Sequence, residues 1–453
     1  MQTKNKILSG VASLGIGAFI AKLLGAIYRV PLTNIIGGSG LGLYQMVFPI
    51  YALLLDFSGA GVPSALSKII ASHGEEKRVQ TARQYLKVSL RLFLPFGIIC
   101  SFLMAFFSKS LAVLQGNVNA FYGYIFLSPA VLFVSLISCF RGYFQGLMNM
   151  SPTAKSQIIE QVVKLIFGLL LAYAFKTNVA FAVAGATFAI TVSEAIALIW
   201  LYSTYRKDKK RYEMPFVFNK SQFFPQAREV FKTTIPITLI GIMIPLSQVV
   251  DSFIIINVLS GYRTDATALY GLMSGVVMTV INLPVSICYG VATVAIPAVS
   301  GAKTHAEKNK NAVKTLLLTL LLSLPCAVVI GMFSQNAVNL LFRSLTPNEK
   351  TIAVNLLRLA SPCVVLLSIL QTANAVLIGK GKLYSPVLSL SVGVAVKTII
   401  NLTLIKIPEI NVYGGVIGVI ACYFTVCLIN LIMIFKLKVS NGSKSTCRRE
   451  YAS

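Results

Sequence analysis

The sequence predicts an all-α, polytopic membrane protein, and three observations carry that expectation. The 453 residues are 56% hydrophobic and 12% charged, with a mean hydropathy of +0.78. A soluble chain carries about twice that share of charge. Uncharged runs long enough to cross ~30 Å of hydrocarbon recur, among them 266–302, 315–333 and 411–435. These runs are continuous, without the apolar–polar alternation of a membrane barrel strand, so helices are expected.

Twelve spans are predicted in chain order. The first, 7–36, follows a short basic start and is too long for a signal-peptide core, so it reads as a retained span. The Gly37-Gly-Ser-Gly40 string reads as an outside turn leading into 43–71. It lacks the strand before it that a phosphate loop needs. Spans at 85–107, 121–143, 156–175 and 179–205 complete a first set. The second set is 234–259, 269–300, 313–333, 352–378, 385–405 and 412–436. Prolines 49, 63, 95, 245, 284 and 325 fall within spans, where they permit kinks.

With the N-terminus inside, and with the Lys and Arg toward the inner ends of spans counted as inner, 29 of the 40 Lys and Arg lie on the inner side, 6 outside and 5 within spans. By the positive-inside rule both termini are cytoplasmic, in a multi-pass bacterial inner-membrane protein. Anionic lipid at the inner surface accounts for the net charge of +26, so nucleic acid is not an expected partner. The eight cysteines are scattered singly, only His73 and His305 are present, and no metal-ligand spacing occurs; neither metal nor cofactor is expected.

The most basic stretch, 206–211, opens a cytoplasmic linker over 206–232. It divides a six-helix lobe at 1–205 from a second at 233–438, with a tail at 439–453. The halves repeat: residues 128–168 align without gaps on 361–401, with nine of 41 positions identical. The shared residues include the Ser-Pro of 128–129 and 361–362, and Lys164 with Lys397. Six spans per half make the repeat parallel, an arrangement suited to a cavity opening alternately to either side.

A charge at mid-bilayer costs roughly 2.5–3.5 kcal/mol, so each one asks for a reason. Lys22 and Arg29 lie seven apart on one face of span one, which holds no acid. Together with Lys164 and Lys397 they are the candidate substrate-binding cations for an anionic group. Asp56, Glu194 and Asp251 are candidate sites for a coupling proton or sodium, or else members of interhelical ion pairs. Glu160 lies four residues from Lys164 on one helix and either pairs with it or stands apart. Arg358, nearer a span end, is expected to snorkel.

Three strings bear a family resemblance: Leu-Gly-Ala-Ile-Tyr-Arg-Val at 24–30, Gly-Val-Pro-Ser-Ala-Leu-Ser-Lys at 61–68, and Arg-Gly-Tyr-Phe-Gln-Gly at 141–146. The last is followed by Asn-Met-Ser-Pro at 149–152 and Gln-Ile-Ile-Glu-Gln-Val-Val-Lys at 157–164. They resemble the stage V sporulation protein B family. That family sits in the multidrug/oligosaccharidyl-lipid/polysaccharide (MOP) exporter superfamily, with MurJ-type lipid II flippases and MATE transporters. The resemblance implies a MATE-like fold and alternating access between two lobes. It also implies a lipid-linked cargo, an undecaprenyl pyrophosphate bearing a saccharide or peptidoglycan unit, taken up from within membrane lipid. Lys22 and Arg29 fall where such relatives carry basic cavity residues, whereas their arginine on span eight has no counterpart here. A cation-coupled multidrug exporter is the alternative function. A membrane glycosyltransferase would need catalytic carboxylates in an outer loop, and the longest, 334–351, holds only Glu349; an enzyme is not expected.

Overall fold

The computed structural model describes residues 2–73, 75–211, 220–302, 304–382 and 384–440. Side chains at 2–19, 22, 26, 75–77, 211, 220, 240, 293, 297 and 436–440 lie outside the description. So do the middle of the predicted linker and most of the predicted tail.

Among the described residues every regular element is helical. In order these are α1 (Gln2–Leu55), α2 (Val62–Ala71), α3 (Glu75–Phe106), α4 (Ser108–Leu114), α5 (Ala120–Gly146) and α6 (Ser151–Ala174). There follow α7 (Val179–Arg211), α8 (Phe223–Ser260), α9 (Ala266–Gly271), α10 (Met278–Ser300), α11 (His305–Met332) and α12 (Ser334–Leu341). The last are α13 (Pro347–Ala360), α14 (Cys363–Gly379), α15 (Ser385–Leu404) and α16 (Tyr413–Ser440). Short π-helical turns join α1 to α2 (Asp56–Ala60) and α9 to α10 (Leu272–Val277).

Ten helical stretches among the described residues are long and apolar enough to cross a membrane. The number becomes eleven if α13 and α14, bent by 46° at a short break, form one span. This is a multi-pass membrane protein. The first stretch, Leu23–Ala71, runs 49 residues, about 70 Å at ~1.5 Å per residue, and so covers two of the twelve predicted spans. The outside turn expected at 37–40 takes a different form. Two helical segments meet directly at Gly37, whose φ of 69° and ψ of −175° suit a residue without Cβ. Of the predicted kink prolines, Pro49, Pro95, Pro245 and Pro325 lie inside helices. Pro63 instead occupies the first turn of α2, where its missing N–H costs nothing.

The chain gathers into two compact units: Met1–Thr279 with Asn339–Thr351, and Val280–Val338 with Ile352–Ser453. In the first, α5, α6 and α7 pack on one another, α3 and α2 lie against α5, and α1 lies against α6. Around Phe140, Tyr143 and Leu201 the N-terminal half of α3 and the C-terminal parts of α5 and α7 bury a continuous apolar cluster. In the second unit α15 packs along α16, and α14 lies against α11 and α16. The repeat is visible in both. Ser156 and Ser389 are fully buried in the first turns of α6 and α15, their hydroxyls donating to the carbonyls of Thr153 and Pro386.

Candidate functional site

Five charged side chains of the first unit, Arg29, Arg141, Glu160, Lys164 and Glu194, converge on the seam between α1, α5, α6 and α7. α5 and α6 form an antiparallel hairpin around 147–150, which brings Arg141 opposite Ser156. The Arg141 Nε donates to Ser156 Oγ at 3.0 Å, and its Nη2 reaches Glu160 Oε2 at 3.1 Å. Both side chains of this ion pair are mostly buried, with 14% and 18% exposure. Gln161 Nε2 donates to the other oxygen of Glu160 at 3.0 Å. Glu160 is thereby held by Arg141, and the pairing considered between Glu160 and Lys164 is replaced. The reason is geometric: a planar guanidinium facing the hairpin partner reaches serine and carboxylate together, which a flexible ammonium one turn away does not.

Lys164, one turn further along α6, lies over the Tyr28 ring of α1, 5.7 Å from its centroid. That distance is within cation–π reach. Close approach makes this possible, because the Tyr28 hydroxyl sits where a Cβ on Gly168 would stand, 2.5 Å away. Arg29, beside Tyr28, is part-buried and close enough to act electrostatically on Lys164 and on Tyr44. Glu194 of α7 is 4% exposed, and its Oε2 has no hydrogen-bond partner. Glu160, Arg141 and Lys164 all act on it through charge, and Tyr51 of α1 lies beside it. Three cations and two acids therefore share one part-buried seam.

The other candidates sit elsewhere. Lys22 is on α1, but its side chain lies outside the described residues. Asp56 opens the π-helical turn, part-buried, and faces α8, its Oδ2 3.5 Å from where a Cβ on Gly241 would stand. Asp251 of α8 is 8% exposed and acts on Tyr270, so it belongs to the α8–α9 contact and not to the seam. Lys397 lies in the second unit, 4% exposed on α15, its stem against α16 where Gly418 leaves room. The repeat thus preserves a lysine and changes what surrounds it. The counterparts of Arg141 and Glu160 are Asn374 and Gly393. Asn374 accepts from Asn430 Nδ2 at 2.8 Å, and Gly393 lets α15 close onto Cys422 and Val426. Arg358 donates to Ser334 Oγ at 3.0 Å while remaining exposed.

Arg141, Tyr28 and Tyr51 were absent from the sequence-derived site. A signal for Arg141 existed: residues equidistant from a four-residue connection face each other in an antiparallel hairpin, and 141 and 156 are such a pair. The tyrosines carry no comparable mark.

The comparisons agree with this architecture. A relative, the lipid II flippase MurJ of Bacillus subtilis (strain 168), is 27% identical over 95% of this chain and 82% of its own length. The stage V sporulation protein B of the same organism is 25% identical over 96% of this chain and 84% of its own. Among solved structures, an inward-facing multidrug resistance MATE family transporter of the MOP superfamily superposes with a TM-score of 0.77 at 14% identity. It covers 95% of this chain and 99% of that one. The lipid II flippase MurJ in an inward closed conformation gives 0.65 at 16% identity, over 94% and 92%. At these identities the structures establish the fold, a MOP-type helical membrane architecture. The MatE family profile matches residues 236–403, and the profile described as "Polysaccharide biosynthesis protein" matches residues 7–303, about two thirds of the sequence. The chain belongs to the polysaccharide biosynthesis protein family.

Proposed function

We propose that the protein is a flippase that carries a lipid-linked, pyrophosphate-bearing saccharide or peptidoglycan precursor across the cytoplasmic membrane. The observation that carries this reading is the excess of cations over acids in the seam, where, among the described residues, Arg29, Arg141 and Lys164 face only Glu160 and Glu194 within span-forming helices. An unbalanced positive charge held in a part-buried site is costly unless an anion joins it. A pyrophosphate supplies two or three charges and many acceptor oxygens. The similarity to a flippase and to a sporulation protein over nearly the whole chain supports the same cargo class.

In this reading the chain spans the membrane twelve times, the 49-residue first stretch counting as two crossings that meet at Gly37. Six helices at 1–205 and six at 233–438 alternate about a cavity, with both termini cytoplasmic. Lys22, Arg29, Lys164 and Lys397 bind the anion. Glu194, with one carboxylate oxygen unpartnered, exchanges a proton or sodium with the substrate cycle, and Asp56 and Asp251 assist. The chemistry is transport: no bond in the cargo is made or broken. The test is complementation of cells depleted of their lipid II flippase, with Lys22→Ala plus Arg29→Ala as the second arm. Rescue by the native chain and failure by the double variant at equal protein level are expected. Equal rescue by both removes the cations from the mechanism.

A second reading, a cation-coupled multidrug exporter, is favoured by the likeness to MATE transporters. It predicts that drug resistance conferred by the chain falls with Asp56→Asn and Asp251→Asn, and that flippase-depleted cells are not rescued.

A further inference from the structure

The Lys164 ammonium sits over an aromatic face and not against a carboxylate. Its Nζ is 5.7 Å from the centroid of the Tyr28 ring, and Lys164 keeps part of its surface exposed. Among the described residues no hydrogen bond or ion pair takes up this ammonium. Glu160, the acid one turn away on α6, is held by Arg141 and Gln161. Glu194 is the other acid that acts on Lys164 through charge, and its Oε2 has no hydrogen-bond partner.

Tyr28 is fixed by packing and not by its own polar group. It is 1% exposed, and it lies against Gly168, with its Cε2 2.7 Å and its hydroxyl oxygen 2.5 Å from where a Cβ would stand. That hydroxyl has no hydrogen-bond partner. A buried hydroxyl in that state costs stability and contributes none, so what Tyr28 offers its surroundings is the ring face. An ammonium over a ring face keeps what an ion pair takes away. The ring quadrupole attracts the cation without cancelling its charge or occupying its N–H donors in strong hydrogen bonds. A carboxylate does both.

We propose that Tyr28 is a positioning residue whose ring holds the Lys164 ammonium, charged and with its donors open, for the anionic group of the cargo. Arg29, next to Tyr28 on α1, brings a second cation to the same place. The ring competes with Glu194 for Lys164. A Lys164–Glu194 ion pair would have to open before an anion could bind, whereas an anion can join an ammonium that stays on the ring. Weakening the ring's hold therefore favours the ion pair and lowers affinity for the anion. This role rests on the reading of the cargo as a pyrophosphate-bearing lipid.

The test is isothermal titration calorimetry of the full chain in detergent with geranylgeranyl pyrophosphate, across a series at position 28. Tyr28→Leu removes the quadrupole and should weaken binding by about twofold to thirtyfold, the span of one cation–π contact between exposed and desolvated sites. Tyr28→Phe should bring affinity back to within about twofold of the native chain, with equal or higher thermal stability, because only an unpartnered hydroxyl is lost. Phenylalanine analogues with two and then three ring fluorines, introduced at position 28, keep the shape and drain negative potential from the ring face. Affinity should fall stepwise along that series, whereas a ring that only fills space would bind alike throughout. With Lys164→Gln, where Arg29 remains, the steps should vanish. Fluorination without effect on the chain that keeps Lys164 overturns the proposal, as do steps that persist without that lysine. Absence of binding by the native chain removes the pyrophosphate cargo and this role with it. Native binding that ignores fluorination removes the role of Tyr28 alone. The fluorinated rings, close in shape to the native one, carry the test should Tyr28→Leu fail to fold.

Discussion

At Arg141 and Glu160 the structure sets an ion pair where water is scarce. Breaking such a pair from one side strands a charge, which costs about 3–5 kcal/mol, whereas replacing both partners by apolar residues is often neutral. Arg141→Ala is therefore expected to lower the unfolding free energy in detergent by about 3 kcal/mol, at the low end because both side chains keep some exposure. Arg141→Met with Glu160→Leu should restore most of it, and a double-mutant cycle on denaturant midpoints reads the coupling. Glu194 differs because its second oxygen is already without a partner. Glu194→Gln removes a titratable group while keeping the shape. Under the proposed coupling role, flipping in vesicles should stop responding to an imposed proton or sodium gradient while thermal stability is kept or raised. A gradient response that persists assigns coupling elsewhere. The sequence marked Glu194, Lys164 and Arg29 because a charge inside an apolar run is visible without coordinates. It did not mark which charges meet, since that depends on hairpin register and on Gly168 admitting Tyr28.

Helix positions followed from uncharged runs, because continuous hydrophobicity is a property of composition that survives any packing. Their interruptions did not follow. A π-helical turn needs about one residue more per turn than an α-helix and leaves no compositional trace, and two occur among the described residues, at 56–60 and 272–277. Nor does the sequence announce that α1 and α9 nearly touch backbone to backbone. A Cβ on Gly271 would stand 2.5 Å from the Gly38 carbonyl oxygen, and one on Gly42 would stand 2.7 Å from the Thr267 carbonyl carbon. Asn34 Nδ2 donates to the Leu341 carbonyl at 2.8 Å nearby, and Ser344 Oγ to the Thr33 carbonyl at 3.2 Å. Glycine is required by the approach here, since no Cβ fits without parting the helices. Gly271→Val should part them. A cysteine replacing Leu41, 1% exposed at this contact, should then react several-fold faster with a membrane-impermeant maleimide than in the Gly271 background. Unchanged labelling would show that this glycine contact is not what shields Leu41.

For the molecule as a whole, the helical class and the repeat were legible, because ten long apolar stretches among the described residues and a 41-residue match leave many independent signs. The compact units were not: the first takes in α8, α9 and residues 339–351, which sequence assigns to the second half. Contacts made between halves outweigh a polar linker when units are drawn by packing. Orientation belongs to this scale, since it rests on charge summed over all connections. Each Lys or Arg near the anionic leaflet contributes roughly 1 kcal/mol, so under the proposed orientation a difference of 29 against 6 should disfavour the inverted topology. That reasoning places Asn178, between α6 and α7, outside and Lys382, between α14 and α15, inside. Single cysteines at the two positions, in a background without native cysteines, should show it in whole cells. The residue at 178 should label with an impermeant maleimide, and the residue at 382 only after permeabilisation. Labelling at 382 in intact cells would reverse the sidedness.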